Sequence, residues 1–292
     1  MYGLGPGGRR HGACGRAPHG RTAAPAGQDR QGKPTLNKER RPVTLVTGAS
    51  SGLGADFARA CARRGDEVLL VARRRDRLDE LGREIGGSAH VLPMDLSQPG
   101  AAQALIGAVD ALGFRVATLI NNAGFGLAGR FPSLPLDRQR QMLELNVVTL
   151  TELCHLVLPG MVQQRQGAIL NVASTGAFQP GPGIAVYFAS KAYILSFTEA
   201  LHQELKGSGI KVSALCPGPT ATEFGDVAGV TNDRFHRFSA RPKTVVTAAL
   251  RGLARNQAVV VPGLTNKITA ASNRFLPRAA MRRIVAGLKL RT

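Results

Sequence analysis

Five residues, Val43-Thr44-Leu45-Val46-Thr47, run without a break into Gly48-Ala-Ser-Ser-Gly52-Leu-Gly54. An apolar helical pattern through Phe57, Ala58, Cys61 and Ala62 follows at once. The first run is apolar and β-branched, which predicts a strand buried on both faces of a parallel sheet. Three glycines, with Ser50, Ser51 and Leu53 between them, then turn the chain into a helix. Such a turn is either a tight connection or a place where backbone N–H groups and a helix N-terminus approach a pyrophosphate. In both cases it commits the chain to an α/β layer.

The same unit recurs. Strands are predicted at 43–47, 67–72, 89–94, 116–121, 167–173, 210–216 and 257–261, with helical patterns between them, including long ones near 138–164 and 185–207. Strands alternating with helices of this length predict an α/β, Rossmann-type, doubly wound parallel sheet in a single domain. At 292 residues and 43% apolar content the chain has ample core for it. No internal repeat is visible, and no run of 18 apolar residues predicts a spanning helix. The cysteines, Cys14, Cys61, Cys154 and Cys216, are scattered and fall in no ligand-spaced cluster. They read as free thiols of a reducing, cytoplasmic protein without a metal site.

Charge divides the chain sharply. The net of +19 would suit a nucleic-acid binder, but residues 41–233 hold 17 bases and 17 acids. Residues 1–40 hold eight bases and two acids, and residues 234–292 hold 13 bases and no acid. The body is therefore ordinary and only the ends are basic. Residues 1–40, rich in Gly, Pro and Arg, read as a disordered extension without a secretory signal, or as the product of a start codon placed too far upstream. Aromatic side chains to stack bases are sparse at the ends, which argues against nucleic acid.

Tyr187-Phe-Ala-Ser-Lys191 places one of only three tyrosines four residues before a lysine, and Ser174 stands thirteen residues earlier. On a helix, positions i and i+4 share a face, so the Lys191 ammonium would lie beside the Tyr187 phenol. A phenol titrates near pH ~10, and an adjacent cation favours its ionised form. Taken alone, the pair also suits a solvated helix face.

Thr47-Gly48-x-x-x-Gly52-x-Gly54, Asn121-Asn122-Ala123-Gly124, Asn146, Ser174, Tyr187-x-x-x-Lys191 and Pro217-Gly218 occur in this order. The ordered set resembles the short-chain dehydrogenase/reductase family over roughly residues 42–262. The resemblance implies a dinucleotide-dependent oxidoreductase in which Ser174, Tyr187, Lys191 and Asn146 are catalytic. Tyr187 would exchange the proton, Ser174 would hold the reacting oxygen, and Lys191 would lower the tyrosine pKa and bind the nicotinamide ribose. Asn146, poorly suited to a helix interior, would order a water that links Lys191 to solvent.

The resemblance also implies cofactor contacts from Gly48, Ser50, Ser51, Gly52, Leu53 and Gly54. Asp95 would accept from the adenine amino group, although an Asx turn before Leu96-Ser97 explains it equally well. Asn122, Ala123 and Gly124 would pass the adenosine ribose, and Pro217, Gly218, Thr220 and Thr222 would flank the nicotinamide. Arg73-Arg74-Arg75 follows the second strand, and no acid occurs before Asp76. A guanidinium there suits a 2′-phosphate, which favours NADP over NAD. One departure is that Ser50 and Ser51 occupy a turn in which many NADP-using relatives carry a base.

Residues 219–243 correspond to the family's variable substrate lid. Phe224, Val227, Val230, Phe235 and Phe238 make it apolar, which favours an apolar ketone, aldehyde or alcohol as small-molecule substrate; His236 and Arg237 read as solvated. From Arg274 to Arg291, Leu276, Ala280, Met281, Ile284, Val285 and Leu288 recur at helical spacing among Arg278, Arg282, Arg283 and Lys289. The segment 263–292 reads as a basic amphipathic helix that packs on the body, on a second subunit or, with less weight, on an anionic membrane. The family resemblance implies a homodimer or homotetramer. The expected activity is NADPH-dependent carbonyl reduction; oxidation of an alcohol and a cofactor sensor without turnover are the alternatives.

Overall fold

The computed structural model describes residues 40–229, 240–272 and 275–287. Readings that rest on residues 1–39, on Val230, Phe235, His236, Arg237 and Phe238, and on Arg274, Leu288 and Lys289 lie outside these.

Seven strands form one sheet in the order β3-β2-β1-β4-β5-β6-β7, every neighbouring pair parallel. They are β1 (Arg41–Thr47), β2 (Val68–Ala72), β3 (Ala89–Pro93), β4 (Phe114–Asn121), β5 (Gly167–Val172), β6 (Ile210–Leu215) and β7 (Val259–Val260). The predicted seventh strand survives only as that pair. The helices are α1 (Gly52–Ala62), α2 (Arg75–Ile85), α3 (Ala101–Ala111), α4 (Leu136–Leu143), α5 (Leu150–Gln164), α6 (Ala185–Glu204), α7 (Phe224–Ala228), α8 (Pro242–Ala254), α9 (Leu264–Ser272) and α10 (Arg278–Gly287).

Side chains alternate across a strand, so a sheet covered on both faces needs continuous apolar runs. Leu45, Leu69, Leu119 and Ile169 enter a core with Leu105, Leu153 and Ile194 of α3, α5 and α6. Their neighbours Val46, Leu70, Ile120 and Leu170 enter the opposite core with Phe57, Leu78 and Val245 of α1, α2 and α8. Strand order reverses between β1 and β4, and a crevice opens there at the carboxyl ends of the strands, where ligands bind in open α/β sheets.

Two helical expectations change. The helix near 138–164 is interrupted by a π-turn, Glu144–Thr149, between α4 and α5. The composite rod Leu136–Gln164 is long and apolar enough by composition to cross a membrane, yet Leu150, Leu153, Cys154 and Val157 pack in the core. The C-terminal segment is two helices, not one, because Pro277, immediately before α10, cannot continue a helix through its missing N–H.

Candidate active site

The first turn is built for close approach. Gly48 has φ +68, and a Cβ there would stand 2.9 Å from Ala123 Cα and from Asn122 Nδ2. Gly52 has φ +54, and its Cβ would meet Thr222 at 3.1 Å. A Cβ on Gly54 would lie 2.1 Å from the Gly48 carbonyl oxygen, so only glycine lets α1 start against β1. Ser51 caps α1 in extended backbone without a side-chain bond to the helix, and the first turn holds no acid. The helix therefore presents free N–H groups and the positive end of its dipole to the crevice, which suits a phosphate.

Thr47 steadies this turn from beneath. Its Oγ1 accepts from Asn122 N and Ala123 N, both at 3.0 Å, and donates to Ile120 O at 3.3 Å. Asn122 Nδ2 returns bonds to Thr47 O and Gly48 O at 3.0 and 3.2 Å. One strand further in, Asn121 Nδ2 donates to Asn171 Oδ1 at 2.9 Å, and Asn171 Nδ2 to Thr198 Oγ1 at 3.0 Å.

A cavity of about 800 Å³ runs from this turn to α9. Gly48, Ser50, Ser51, Gly52, Leu53, Arg73, Arg74, Asp95, Asn122, Ala123, Gly124, Ser174, Tyr187, Lys191, Pro217, Gly218, Thr220 and Thr222 all line it. Gly54 and Asn146 do not; both act from behind it. Asn146 sits fully buried in the π-turn, its Oδ1 accepting from Phe125 N at 3.2 Å. Its Nδ2 donates to Phe125 O at 3.0 Å and to Ser190 Oγ at 3.1 Å, so the amide clamps the chain after β4 to α6. Its oxygen lies 2.9 Å from where a Gly124 Cβ would stand, and Lys191 Nζ lies 3.6 Å from that point.

Ser174 follows β5, and its Oγ accepts from Gly176 N at 3.0 Å. The hydroxyl lies within bonding reach of Tyr187, which opposes the larger effect of burial; burial pushes the phenol well above its ordinary pKa. The Lys191 ammonium donates to Val172 O at 2.7 Å and lies 5.7 Å from the centre of the Tyr187 ring. Burial lowers Lys191 to about 8, against a small opposing effect of Cys216. The expected depression of the tyrosine by Lys191 is therefore not what this geometry produces: desolvation dominates and Tyr187 is a protonated phenol at neutral pH.

Asp95 makes the Asx turn before Leu96-Ser97 and also lines the cavity. Its Oδ1 accepts from Ser97 N at 3.0 Å and Ser97 Oγ at 2.8 Å. Burial acts to raise its pKa, but the bonds from Ser97 and Gln98 and the nearby Arg73 outweigh it and hold the carboxyl below its usual range. Arg74 bends back over the turn, donating from Nη2 to Ser50 Oγ at 3.3 Å, and so brings a cation to the serines that the sequence leaves without one.

Around Tyr187 the wall is apolar. The Phe224 ring stands 5.2 Å and the Phe188 ring 6.1 Å from the phenol ring, with Leu145, Ile184 and Val227 also lining the cavity. Sequence reading missed Gln179, Glu223, Thr265, Asn266 and Thr269, which line it too. Proximity to Ser174 is a signal for Gln179, but none marks the α9 residues, since α9 reaches the cavity only through the fold. Among the described residues no group of His, Cys, Asp or Glu could hold a metal.

Comparison with known proteins places the whole arrangement. The pattern describing the short chain dehydrogenases matches residues 42–231. The chain belongs to the short-chain dehydrogenase/reductase family. Sulfoacetaldehyde reductase 2 of Chromohalobacter salexigens is 37% identical over 187 residues, 62% of this chain and 74% of that one. Very-long-chain 3-oxoacyl-CoA reductase of Bos taurus is 29% identical over 71% of this chain and 67% of its own length. A short-chain dehydrogenase from Sphingobium yanoikuyae in complex with NADPH superposes with a TM-score of 0.72 at 35% identity, covering 80% of this chain and 93% of that one. This short-chain dehydrogenase/reductase is an oxidoreductase acting between CH–OH and C=O with NAD(P). Its glycine cradle and open helix N-terminus, which any Cβ would obstruct, fit the dinucleotide.

Proposed function

We propose that this enzyme reduces an apolar ketone or aldehyde to the alcohol with NADPH. The observation that carries the reading is the buried Tyr187 phenol, within reach of Ser174 and facing Phe188, Phe224 and Ile184. When bound, the dinucleotide supplies the hydride. Tyr187 gives its proton to the carbonyl oxygen, a role that needs a phenol and not a phenolate. Ser174 donates to the same oxygen and stabilises the charge that develops there. Lys191 holds the nicotinamide ribose and, as a cation, stabilises the phenolate left behind. Asn146 sets the position of Phe125 and of α6 through Ser190.

The charged residues that line the cavity are Arg73, Arg74, Asp95, Lys191 and Glu223, and all but Lys191 stand at the end near the first turn. The substrate end thus carries no other described charge, which favours an uncharged reacting portion over a sulfonate. NADPH rather than NADH is favoured by Arg73 and Arg74 at the end of β2, where a 2′-phosphate would lie. The test is NADPH oxidation over a panel of apolar and anionic carbonyls, with Tyr187→Phe as control. We expect turnover with the apolar members and a loss of about 10²–10⁴-fold in the variant. Undiminished turnover in Tyr187→Phe would overturn the mechanism, and cofactor binding without turnover on any member would favour a sensor.

For the whole protein we propose a cytoplasmic homodimer or homotetramer. Leu143, Val148 and Tyr193, exposed on the long helices, support association through that face, and buried separate thiols at Cys61, Cys154 and Cys216 suit a reducing compartment. Monomeric mass in light scattering would exclude the oligomer. Peripheral membrane contact through α10 is the weaker reading, because Met281 and Val285 are buried while Ile284 is exposed. Equal pelleting with anionic liposomes by full-length chain and chain truncated after Asn273 would dismiss it.

A further inference from the structure

Glu223 immediately precedes α7 on the lid, yet its carboxylate reaches the opposite wall of the crevice. Arg74 Nη2 donates to Glu223 Oε2 at 3.0 Å, while the same guanidinium bonds Ser50. The Glu223 carboxyl is held below its ordinary pKa, first by the bond from Arg74 and, against a small desolvation effect, also by the Arg74 charge and a bond from Ser51. Ser51 stands at the N-cap position of α1, with its side chain unbonded to the helix. The carboxylate thus occupies a guanidinium and the hydroxyl of the residue at the N-terminus of α1, which are groups a phosphate would use.

From this geometry we infer that Glu223 is a built-in competitor for the cofactor's 2′-phosphate: it takes Arg74 as an internal anion and must be displaced when NADP(H) binds. The inference rests on the reading of Arg74 as a partner of that phosphate. One guanidinium cannot give its in-plane donors fully to both anions, and a carboxylate beside a phosphate is repelled. The site then binds the 2′-phosphorylated cofactor less tightly than its two arginines allow. The displaced residue is joined directly to Phe224, whose ring lies against Tyr187, so the event at the adenosine end is connected to the substrate wall.

Both partners are nearly half exposed, so the expected effect is modest. Surface ion pairs of this kind contribute on the order of 0.2–1 kcal/mol, which corresponds to about a 1.5- to 5-fold change in affinity. The experiment is calorimetric titration of the full chain with 2′,5′-ADP and with 5′-ADP, in wild type, Glu223→Gln, Arg74→Met and the double variant. Glu223→Gln should tighten 2′,5′-ADP by about 1.5- to 5-fold and leave 5′-ADP unchanged, and the gain should vanish in the Arg74→Met background. An unchanged or weaker affinity for 2′,5′-ADP in Glu223→Gln overturns the competitor. Equal tightening of both nucleotides also overturns it, since that would mark an unspecific charge effect. If wild-type protein binds 2′,5′-ADP no better than 5′-ADP, the NADP reading itself fails, a result distinct from the other two.

Discussion

Lys191 is 4% exposed, and its charge is satisfied by a carbonyl oxygen instead of a carboxylate. Burial lowers its pKa from 10.5 to about 8, so the unfolded chain binds more protons than the folded one between those values. Its penalty on stability is full below pH 8 and is relieved as pH rises toward 10.5. The variant Lys191→Met should therefore gain on wild type by about 2 kcal/mol at pH 7 relative to pH 10, as measured by denaturant unfolding at both. A pH-independent difference would show that the lysine is not buried as a cation. Taking the difference removes the contributions of Tyr187 and of the buried thiols, which are pushed up and oppose the trend at high pH. Ser174, Tyr187 and Lys191 were legible in the sequence because a helix makes i and i+4 neighbours and an ordered motif set supplies the rest. The direction of the tyrosine shift was not, since it depends on how completely water is excluded from the phenol.

Among the elements, the Thr47 hydroxyl adds one tie between β1 and the chain leaving β4, beside the strand ladder and the Asn122 side chain. Thr47→Val keeps the shape but takes the acceptor from Ala123 N, while Asn122 N keeps its bond to Ile120 O at 3.0 Å. A partly buried donor stripped of its partner costs up to ~1–3 kcal/mol, so the variant should lose about 1–3 kcal/mol in chemical denaturation and bind dinucleotide more weakly. A loss under ~0.5 kcal/mol would mean that the Ala123 N–H finds another acceptor. The strands were readable as apolar runs because both faces of this sheet are covered. The π-turn around Asn146 was not. An asparagine mid-helix signals only poor propensity, whereas the π-turn and the bonds of its amide to Phe125 depend on a chain segment 21 residues away.

Across the whole molecule, the C-terminal segment belongs to the site and not to a separate appendage. Thr265, Asn266 and Thr269 of α9 line the cavity, and Asn266 would lie within 2.4 Å of a Cβ on Gly218. Truncation after Gly263 leaves every strand of the sheet in place. It should preserve cooperative unfolding and dinucleotide affinity within about 3-fold while raising KM for an apolar ketone by roughly tenfold, a loss of ~1.4 kcal/mol. An unchanged KM would show that α9 contributes no substrate contact. By itself, the sequence determined the sheet and the glycine turn, and its ordered motifs picked out Ser174, Tyr187 and Lys191, which line the cavity. Those features are local: strand and helix periodicities, turn conformations and residue spacings within single elements. Only the tertiary structure brought α9 to the cavity, carried Glu223 across it to Arg74 and buried Tyr187 so that its pKa is raised and not lowered. Each of these depends on contacts between residues far apart in the chain, and on the exclusion of water that such contacts produce, which no local pattern encodes.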